Sequence, residues 1–526
     1  MSGAPAGAAP ANAAPAGPPP LQGPALAFVA LALALGSFMQ VLDSTIANVA
    51  LPTISGNLGE SSDTGTWVIT AFAVANGVTV PLTGWLMRRF GLVTVFTVSV
   101  GLFTFASFLC GIAWSLPSLI AFRLLQGAVS GPMIPGSQAL LIAVFPSEKR
   151  AVALSIWSMT ALIGPVAGPI MGGYISDHFH WGWIFLINVP VGIFTVTALT
   201  IKLRAYNSPR VKLPIDLGGV ILLVVWVGCL QVVLDMGKNA DWFNAPYICV
   251  LTAISIVAFI AWVIWELTEE HPAVDLSLFR NRNFALATIS FCLGYAFFFA
   301  NNLLMPLWMQ QQEGYTATWA GIVAAPAGLI AFFASPVVAR LSGKVDVRLL
   351  ASIALGAFAV SYYMRTGFSE QTDFLHFVLP IFVQGLAMGM FFMSMTTLAL
   401  DRLPEYRIPS ASGISNFARI TGGAFAASIV TTVWDRREAL HQSRLTEFAN
   451  PANPAYNGAM QHLQAVGMNH QQASGALDRV VVNQAYLLSS IDIFWVSSIC
   501  SAAMLALIWL SRRPAPPAPG TVVAAD

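Results

Sequence analysis

Asp43 lies in LALGSFMQVLDSTIANVALPTI (residues 33–54), and from Ala25 to Leu51 no other side chain ionises. A charge at the centre of a bilayer costs at least about 2.5–3.5 kcal/mol, so an acid there normally faces a cavity, a partner or a transported species. Two readings stay open. Asp43 is either a proton or cation site, or an acid at the membrane boundary helped by Ser44, Thr45 and Asn48. A second charge inside an apolar run, Arg123, needs a counter-charge, acceptors or water. It either couples to Asp43 or bonds only carbonyls and Gln126. A third, Arg419, stands three residues beyond Asn416, where it would attract anionic or carbonyl-bearing molecules or pair within a helix bundle.

The elements that position these groups follow from composition. The 526 residues are 56% hydrophobic and 9% charged, with a mean hydropathy of +0.70, against about 25% charge in an average soluble protein. The chain therefore reads as an all-α polytopic membrane protein. A net charge of +1 without a basic block argues against nucleic acid as a partner, since phosphate binding needs concentrated positive charge. Cys110, Cys229, Cys249, Cys292 and Cys500 fall in apolar runs without metal-ligand spacing, so no metal site is expected.

Apolar runs near 25–50, 66–86, 93–113, 117–141, 151–175, 183–202, 217–235, 246–267, 284–308, 319–340, 348–366, 375–400, 410–433 and 490–511 read as about 14 transmembrane helices. Residues 1–24, rich in Ala and Pro, read as a disordered cytoplasmic tail, and 512–526 as a second cytoplasmic tail. One end of the bundle collects most of the Lys and Arg, among them Arg88, Arg89, Lys149, Arg150, Arg340 and Lys344. The other holds Lys238, Arg365, Arg436, Arg437, Arg444 and Arg479. The positive-inside rule then places both termini in the cytoplasm. The polar stretch 434–489 faces outward as a solvated, partly helical loop subdomain, either a passive connector or a docking surface.

An internal repeat sets the architecture. An offset of 258 carries Gln126-Gly127 onto Gln384-Gly385, Gly131 onto Gly389 and Gly164 onto Gly422, and an offset of 252 carries Arg88 onto Arg340 and Gly91 onto Gly343. Two parallel six-helix halves are implied: 25–202, and 284–433 completed by 490–511, with two extra helices in the linker 203–283. Such halves place a substrate site between them near the midplane. The halves differ in charge, because Arg123 maps onto Ile381 and Asp43 onto the neutral Ala300–Asn302 region.

Four stretches carry a resemblance. They are Leu42-Asp43-Ser44-Thr45-Ile46-Ala47-Asn48-Val49-Ala50-Leu51-Pro52, Gly84-Trp85-Leu86-Met87-Arg88-Arg89-Phe90-Gly91, Arg123-Leu124-Leu125-Gln126-Gly127 and Gly164-Pro165-Val166-Ala167-Gly168-Pro169-Ile170-Met171-Gly172-Gly173. Together they resemble the EmrB/QacA-type drug:proton antiporters of the major facilitator superfamily over nearly the whole chain after residue 24. The resemblance implies Asp43 at a cavity-facing position, with Pro52 ending the span, and Asp43 and Arg123 as the proton-coupling pair. It also implies that Gly84, Arg88, Arg89 and Gly91 form a conformational loop motif, and Gly164, Pro165, Gly168, Pro169, Gly172 and Gly173 the antiporter motif. Arg88 stands where the superfamily usually has Asp, which puts a latch built on that acid in doubt. Physically, glycines at four-residue spacing let helices approach closely, and each proline removes a helix hydrogen bond.

By the same resemblance the chain is a proton-coupled exporter of hydrophobic drugs in the bacterial inner membrane. It would act as one component of a tripartite pump, with a periplasmic adaptor of the EmrA kind and an outer-membrane channel of the TolC kind. A dedicated exporter of one metabolite, such as a fatty acid, is the alternative. A drug pocket should be apolar and aromatic with few polar anchors. Candidates on the spans are Phe38, Gln40, Trp157, Tyr295, Asn301, Gln384, Met388, Phe391, Asn416, Phe417 and Arg419. No cofactor is expected beyond the proton gradient, because no Walker-type loop couples ATP. His178 and His180 lack a ligand cluster around them, which argues against an enzyme.

Overall fold

The computed structural model describes residues 21–146, 149–208, 210–342, 344–369 and 372–513. Most of the expected N-terminal tail, Gly343 of the repeat and residues 514–526 lie outside these.

The first half contains α1 (Gly23–Asn57), α2 (Ser62–Gly65), α3 (Trp67–Thr79), α4 (Thr83–Phe90), α5 (Leu92–Gly111), α6 (Leu116–Ser130), α7 (Met133–Val144), α8 (Arg150–His178), α9 (Trp183–Leu186) and α10 (Asn188–Lys202). Pro24 sits in the first turn of α1, where its missing N–H leaves no bond unmade. Pro52 does not end that helix. The chain continues helical for five residues beyond it, because the expected break is only a lost hydrogen bond, which a membrane helix tolerates. The linker forms α11 (Leu217–Met236) and α12 (Pro246–Thr268), which pack on each other, and α11 lies along α3 and touches the second half. That half comprises α13 (Arg282–Gln311), α14 (Ala317–Ser342), α15 (Val347–Arg365), α16 (Phe374–Ala399), α17 (Ile408–Thr446), α18 (Pro454–Ala465) and α19 (His470–Trp509).

Among the described residues, 11 helices are long and apolar enough to cross a membrane, and two bent pairs raise this to 13. One pair is α3 with α4, bent by 59°, and the other is the two parts of α8, bent by 41°. The fourteenth expected span corresponds to α17. Its buried Ser410, Ser412, Ser415, Asn416 and Arg419 make it too polar for a composition test, and they face protein rather than lipid.

Close helix contacts repeat between the halves. A Cβ on Gly127 would stand 2.4 Å from the Phe72 carbonyl oxygen of α3, and one on Gly385 would stand 2.5 Å from the Ala327 carbonyl oxygen of α14. Likewise Gly164 abuts Val41 of α1 and Gly422 abuts Cys292 of α13. Small residues at matching positions thus bring matching helix pairs together, as parallel repeats require.

One segment extends the expectation and another departs from it. The polar stretch after residue 434 is largely helical: α17 runs on to Thr446, α18 follows, and α19 begins at His470, capped by Asn469. Arg437 and His441 of α17 hold Asp492 of α19 at 2.5 and 2.7 Å, so the spans themselves continue past their apolar portions. Arg365, grouped above with the bases at the outer end of the bundle, is 1% exposed. It hydrogen bonds to the Gln384 side-chain oxygen, and the Tyr362 and Phe494 rings lie against it at 5.6 and 5.8 Å. Its place at the last turn of α15 looks like a loop position, but Phe368 folds back onto Phe494 and encloses it.

Candidate functional site

Between the halves lies a cavity of about 480 Å3, walled mainly by α1, α3, α6, α11, α13 and α17, with single residues of α7 and α8. It reaches Lys238 and Asn239 at the end of α11, away from the end that carries Arg88, Arg89, Arg150 and Arg407. At that basic end the halves meet directly. A Cβ on Gly84 of α4 would lie 2.5 Å from the Ser410 Cα of α17. Asn416 donates to the Gln138 side-chain oxygen at 3.1 Å, and Arg150 pairs with Glu405 at 2.5 Å. The cavity is therefore sealed on one side only.

Asp43 is not on the cavity wall. Gln40, Val41, Ser44, Thr45 and Asn48 of α1 line the cavity, and at 100° per residue Asp43 points well away from that face. The expectation of a cavity-facing acid is corrected accordingly. Asp43 is fully buried inside the first half, where its Oδ2 accepts from Arg123 Nη1 at 2.5 Å and its Oδ1 accepts from Gln126 at 3.0 Å and Asn188 at 2.9 Å. Ser107 accepts from the same two amides and donates to the Phe185 carbonyl. Arg123, 1% exposed, also donates to the Val68 carbonyl and to Gln126 Oε1, and its guanidinium lies 4.2 Å from the Phe72 ring centroid. Arg123 does line the cavity. The acid thus sits behind an arginine that faces the space, with every charge matched and hydrogen bonded, as a buried ion pair requires.

Helix α8 fixes this arrangement. Cβ atoms on Gly164 and Gly168 would stand 2.3 Å from Val41 Cγ1 and 2.0 Å from Thr45 Oγ1, and one on Gly172 would stand 2.9 Å from the Ile46 carbonyl oxygen. The Thr45 hydroxyl reaches the Gly164 carbonyl at 3.2 Å. The glycines press α8 onto the stretch of α1 that carries Asp43, and Pro165 reaches the cavity wall. Gly173 meets nothing within 4 Å. The side chain of Pro169 lies outside the described residues. In the loop motif, Gly91 takes φ +94°, a backbone shape that glycine adopts without steric cost. The Arg88 carbonyl accepts from Val211, Arg89 donates to the Leu213 carbonyl, and Trp85 donates to the Pro214 carbonyl. This motif is strapped to the linker.

Of the candidate substrate residues, Gln40, Tyr295, Phe417 and Arg419 line the cavity. Asn416 stands beside it, its Oδ1 accepting from Arg419 at 3.2 Å. The others lie elsewhere. Phe38 is half-buried on α1 away from the wall, and Trp157 donates to the Ile134 carbonyl within the core. Asn301 bonds Ser497 of α19, and Gln384 bonds Arg365. Met388 and Phe391 belong to a packed cluster in which Phe391 meets the Phe291 and Phe358 rings edge-on. Sequence reasoning missed the contribution of α11, whose Trp226, Gln231 and Asp235 face the cavity. An acid within a 20-residue apolar helix was the available signal. For Ser107 and Asn188 there was none, since neutral polar residues are common in membrane helices.

A bundle of two parallel six-helix repeats around a cavity sealed at one end is a transporter architecture, and the chain belongs to the Major Facilitator Superfamily, whose profile matches residues 33–427. It is 46% identical to the multidrug export protein EmrB of Escherichia coli strain K12, over 92% of this chain and 95% of that protein. It is 43% identical to the fatty acid resistance protein FarB of Neisseria gonorrhoeae, over 93% of this chain and 96% of that one. Among solved structures, the human organic anion transporter MFSD10 is similar with a TM-score of 0.58 at 14% identity, covering 93% of this chain and all of that one. The proton:xylose symporter XylE is similar with a TM-score of 0.53 at 12% identity, covering 88% of this chain and 94% of that one. These two likenesses concern the fold. The chain is a multi-pass membrane protein of the EmrB group, a transporter family rather than an enzyme family.

Proposed function

We propose that this protein exports lipophilic toxic compounds in exchange for protons, by alternating access of the central cavity. The observation that carries this reading is the Asp43–Arg123 pair, placed one side chain behind the cavity wall. With the basic end cytoplasmic, the cavity faces outward, which is the state that releases drug and receives a proton. Protonation of Asp43 removes the charge that holds Arg123 and frees the guanidinium. Deprotonation after the cavity opens inward lets the pair re-form and clears the site. Each proton brings about 2.3 kcal/mol per 100 mV of membrane potential. The proton gradient is the energy source, without a further cofactor. The relatives named for multidrug export support the substrate class.

The setting that fits this reading is a bacterial inner membrane with both termini cytoplasmic. There the long outward extensions of α17 and α19 would meet a periplasmic adaptor of the EmrA kind, leading to an outer-membrane channel of the TolC kind. A narrower reading, export of fatty acids, is favoured by the 43% identity to FarB and by Arg419 on the cavity wall, where a carboxylate would find a cation. The test is transport in proteoliposomes with an imposed pH gradient. Asp43→Asn should insert normally and lose proton-linked efflux, and drug-for-proton exchange at the parent rate in that variant would refute the mechanism. Adding several lipophilic compounds and a long-chain fatty acid to the parent separates the two substrate readings.

A further inference from the structure

The charges on the cavity wall do not balance locally. Arg123 is committed to Asp43 behind the wall. Lys238, at the cavity's outer rim, pairs with Asp435 at 2.8 Å. Arg419 is hydrogen bonded to the Asn416 oxygen, with its guanidinium 4.7 Å from the Tyr295 ring centroid. Each base on the wall therefore has an occupation. One acid does not.

Asp235 of α11 is the sole carboxylate among the described residues lining the cavity. Its Oδ1 accepts from the amide of Gln231, one turn earlier, at 3.0 Å. Its Oδ2 is shielded from solvent, and no ion pair reaches the carboxylate among the described residues. Its one further neighbour is neutral: the Thr70 hydroxyl, which is shared between the carboxylate and the Thr66 carbonyl at 3.3 Å. A shielded carboxylate lacking a cation is costly to keep, and inside a membrane such groups mark the path of what is carried. The same wall presents aromatic faces. Trp226 of α11 and Phe417 of α17 meet edge-on at 5.7 Å, bridging the linker and the second half, and Phe72 and Phe299 complete the lining. Aromatic faces beside a carboxylate without a counter-cation suit an organic cation, through ring quadrupoles and a direct counter-charge.

We infer that Asp235 is the anchor for the cationic centre of a lipophilic amine or onium substrate, making α11 a substrate-binding helix rather than a spacer between the halves. This rests on the export reading above and adds to it a charge class and a residue. Arg419 leaves the opposite side of the cavity unfavourable to cations, so a cationic amphiphile enters with its charge toward α11 and its apolar body toward Tyr295 and Phe417.

The experiment uses two probes of the same shape and opposite charge, tetraphenylphosphonium and tetraphenylborate, bound to the purified full chain in detergent at fixed pH. Asp235→Asn should raise the Kd for tetraphenylphosphonium tenfold or more and leave tetraphenylborate within about threefold, while Asp235→Glu keeps cation binding. An unchanged tetraphenylphosphonium Kd in Asp235→Asn overturns the assignment. So does an equal loss of both probes, which would mark Asp235 as structural, and thermal unfolding of the same samples would show that loss as lowered stability. Binding of neither probe by the parent protein would overturn the lipophilic-export reading itself, and this inference with it.

Discussion

Replacing Asp43 by Asn, Arg123 by Ile, and then both together isolates the energy held in the buried pair. The two side chains are 0% and 1% exposed, and removing one partner of such a pair costs about 3–5 kcal/mol, because a charge is left buried without its counter-charge. Asp43→Asn leaves Arg123 with the Gln126 side-chain oxygen at 2.7 Å and the Val68 carbonyl at 3.2 Å, so its cost falls toward the lower figure. Arg123→Ile leaves a full carboxylate facing only the amides of Gln126 and Asn188, and should cost more. The double variant leaves no charge. It recreates the pairing of residue types that the second half carries at Asn301 and Ile381, the positions 258 residues on. Its cost should stay below about 2 kcal/mol, since neutral replacements of buried pairs are often tolerated. The single costs should therefore exceed the double by several kcal/mol. Unfolding in mixed micelles of dodecylmaltoside and sodium dodecyl sulfate, followed by helicity, measures all four proteins. Additivity of the two single changes within about 0.5 kcal/mol, the behaviour of independent sites, would refute the claim that these groups act as one buried pair.

Three further outcomes follow from other parts of the molecule. Gly84→Ala places a Cβ 2.5 Å from the Ser410 Cα, so α4 and α17 must part; spin-label distances across that contact should lengthen and efflux should fall at normal expression. Glu405→Gln breaks a pair whose side chains are 41% and 79% exposed, worth under about 1 kcal/mol; transport should change less than about fivefold, and the difference should vanish in high salt. Asp346, in the turn before α15, is held below the usual carboxylate range by its hydrogen bonds from Arg348. A depressed folded-state value stabilises the protein fully above the ordinary value near 3.9 and is lost as pH falls through the folded one. Asp346→Asn should therefore lower the melting temperature at pH 7, and the gap to the parent should close as pH falls below about 4.

The charged pair was legible in the sequence for an energetic reason: insertion into a bilayer is so unfavourable to Asp and Arg that the few that remain in apolar runs stand out. Direction was not legible. Helix α1 is apolar toward lipid and toward protein alike, so no polar face announces that Asp43 turns into its own half while Ser44 and Asn48 turn to the cavity. Partners such as Ser107 and Asn188 cost little to insert and leave no mark in composition. The linker helix α11 misled for the opposite reason, because its apolar run reads as lipid-facing although one broad face lies on α3 and the cavity. The repeat shows most clearly what alignment by position omits. Arg123 has the neutral Ile381 as its counterpart, yet a buried arginine survives in the second half: Arg365, on α15, stands 258 residues after Ser107 of α5 and bonds Gln384, the counterpart of Gln126. The guanidinium has moved to a neighbouring helix and kept its glutamine. Asn301, at the position matching Asp43, bonds Ser497 instead. At these matched positions the halves differ by the acid, so the proton coupling proposed for Asp43 has no counterpart at Asn301, whose amide does not ionise.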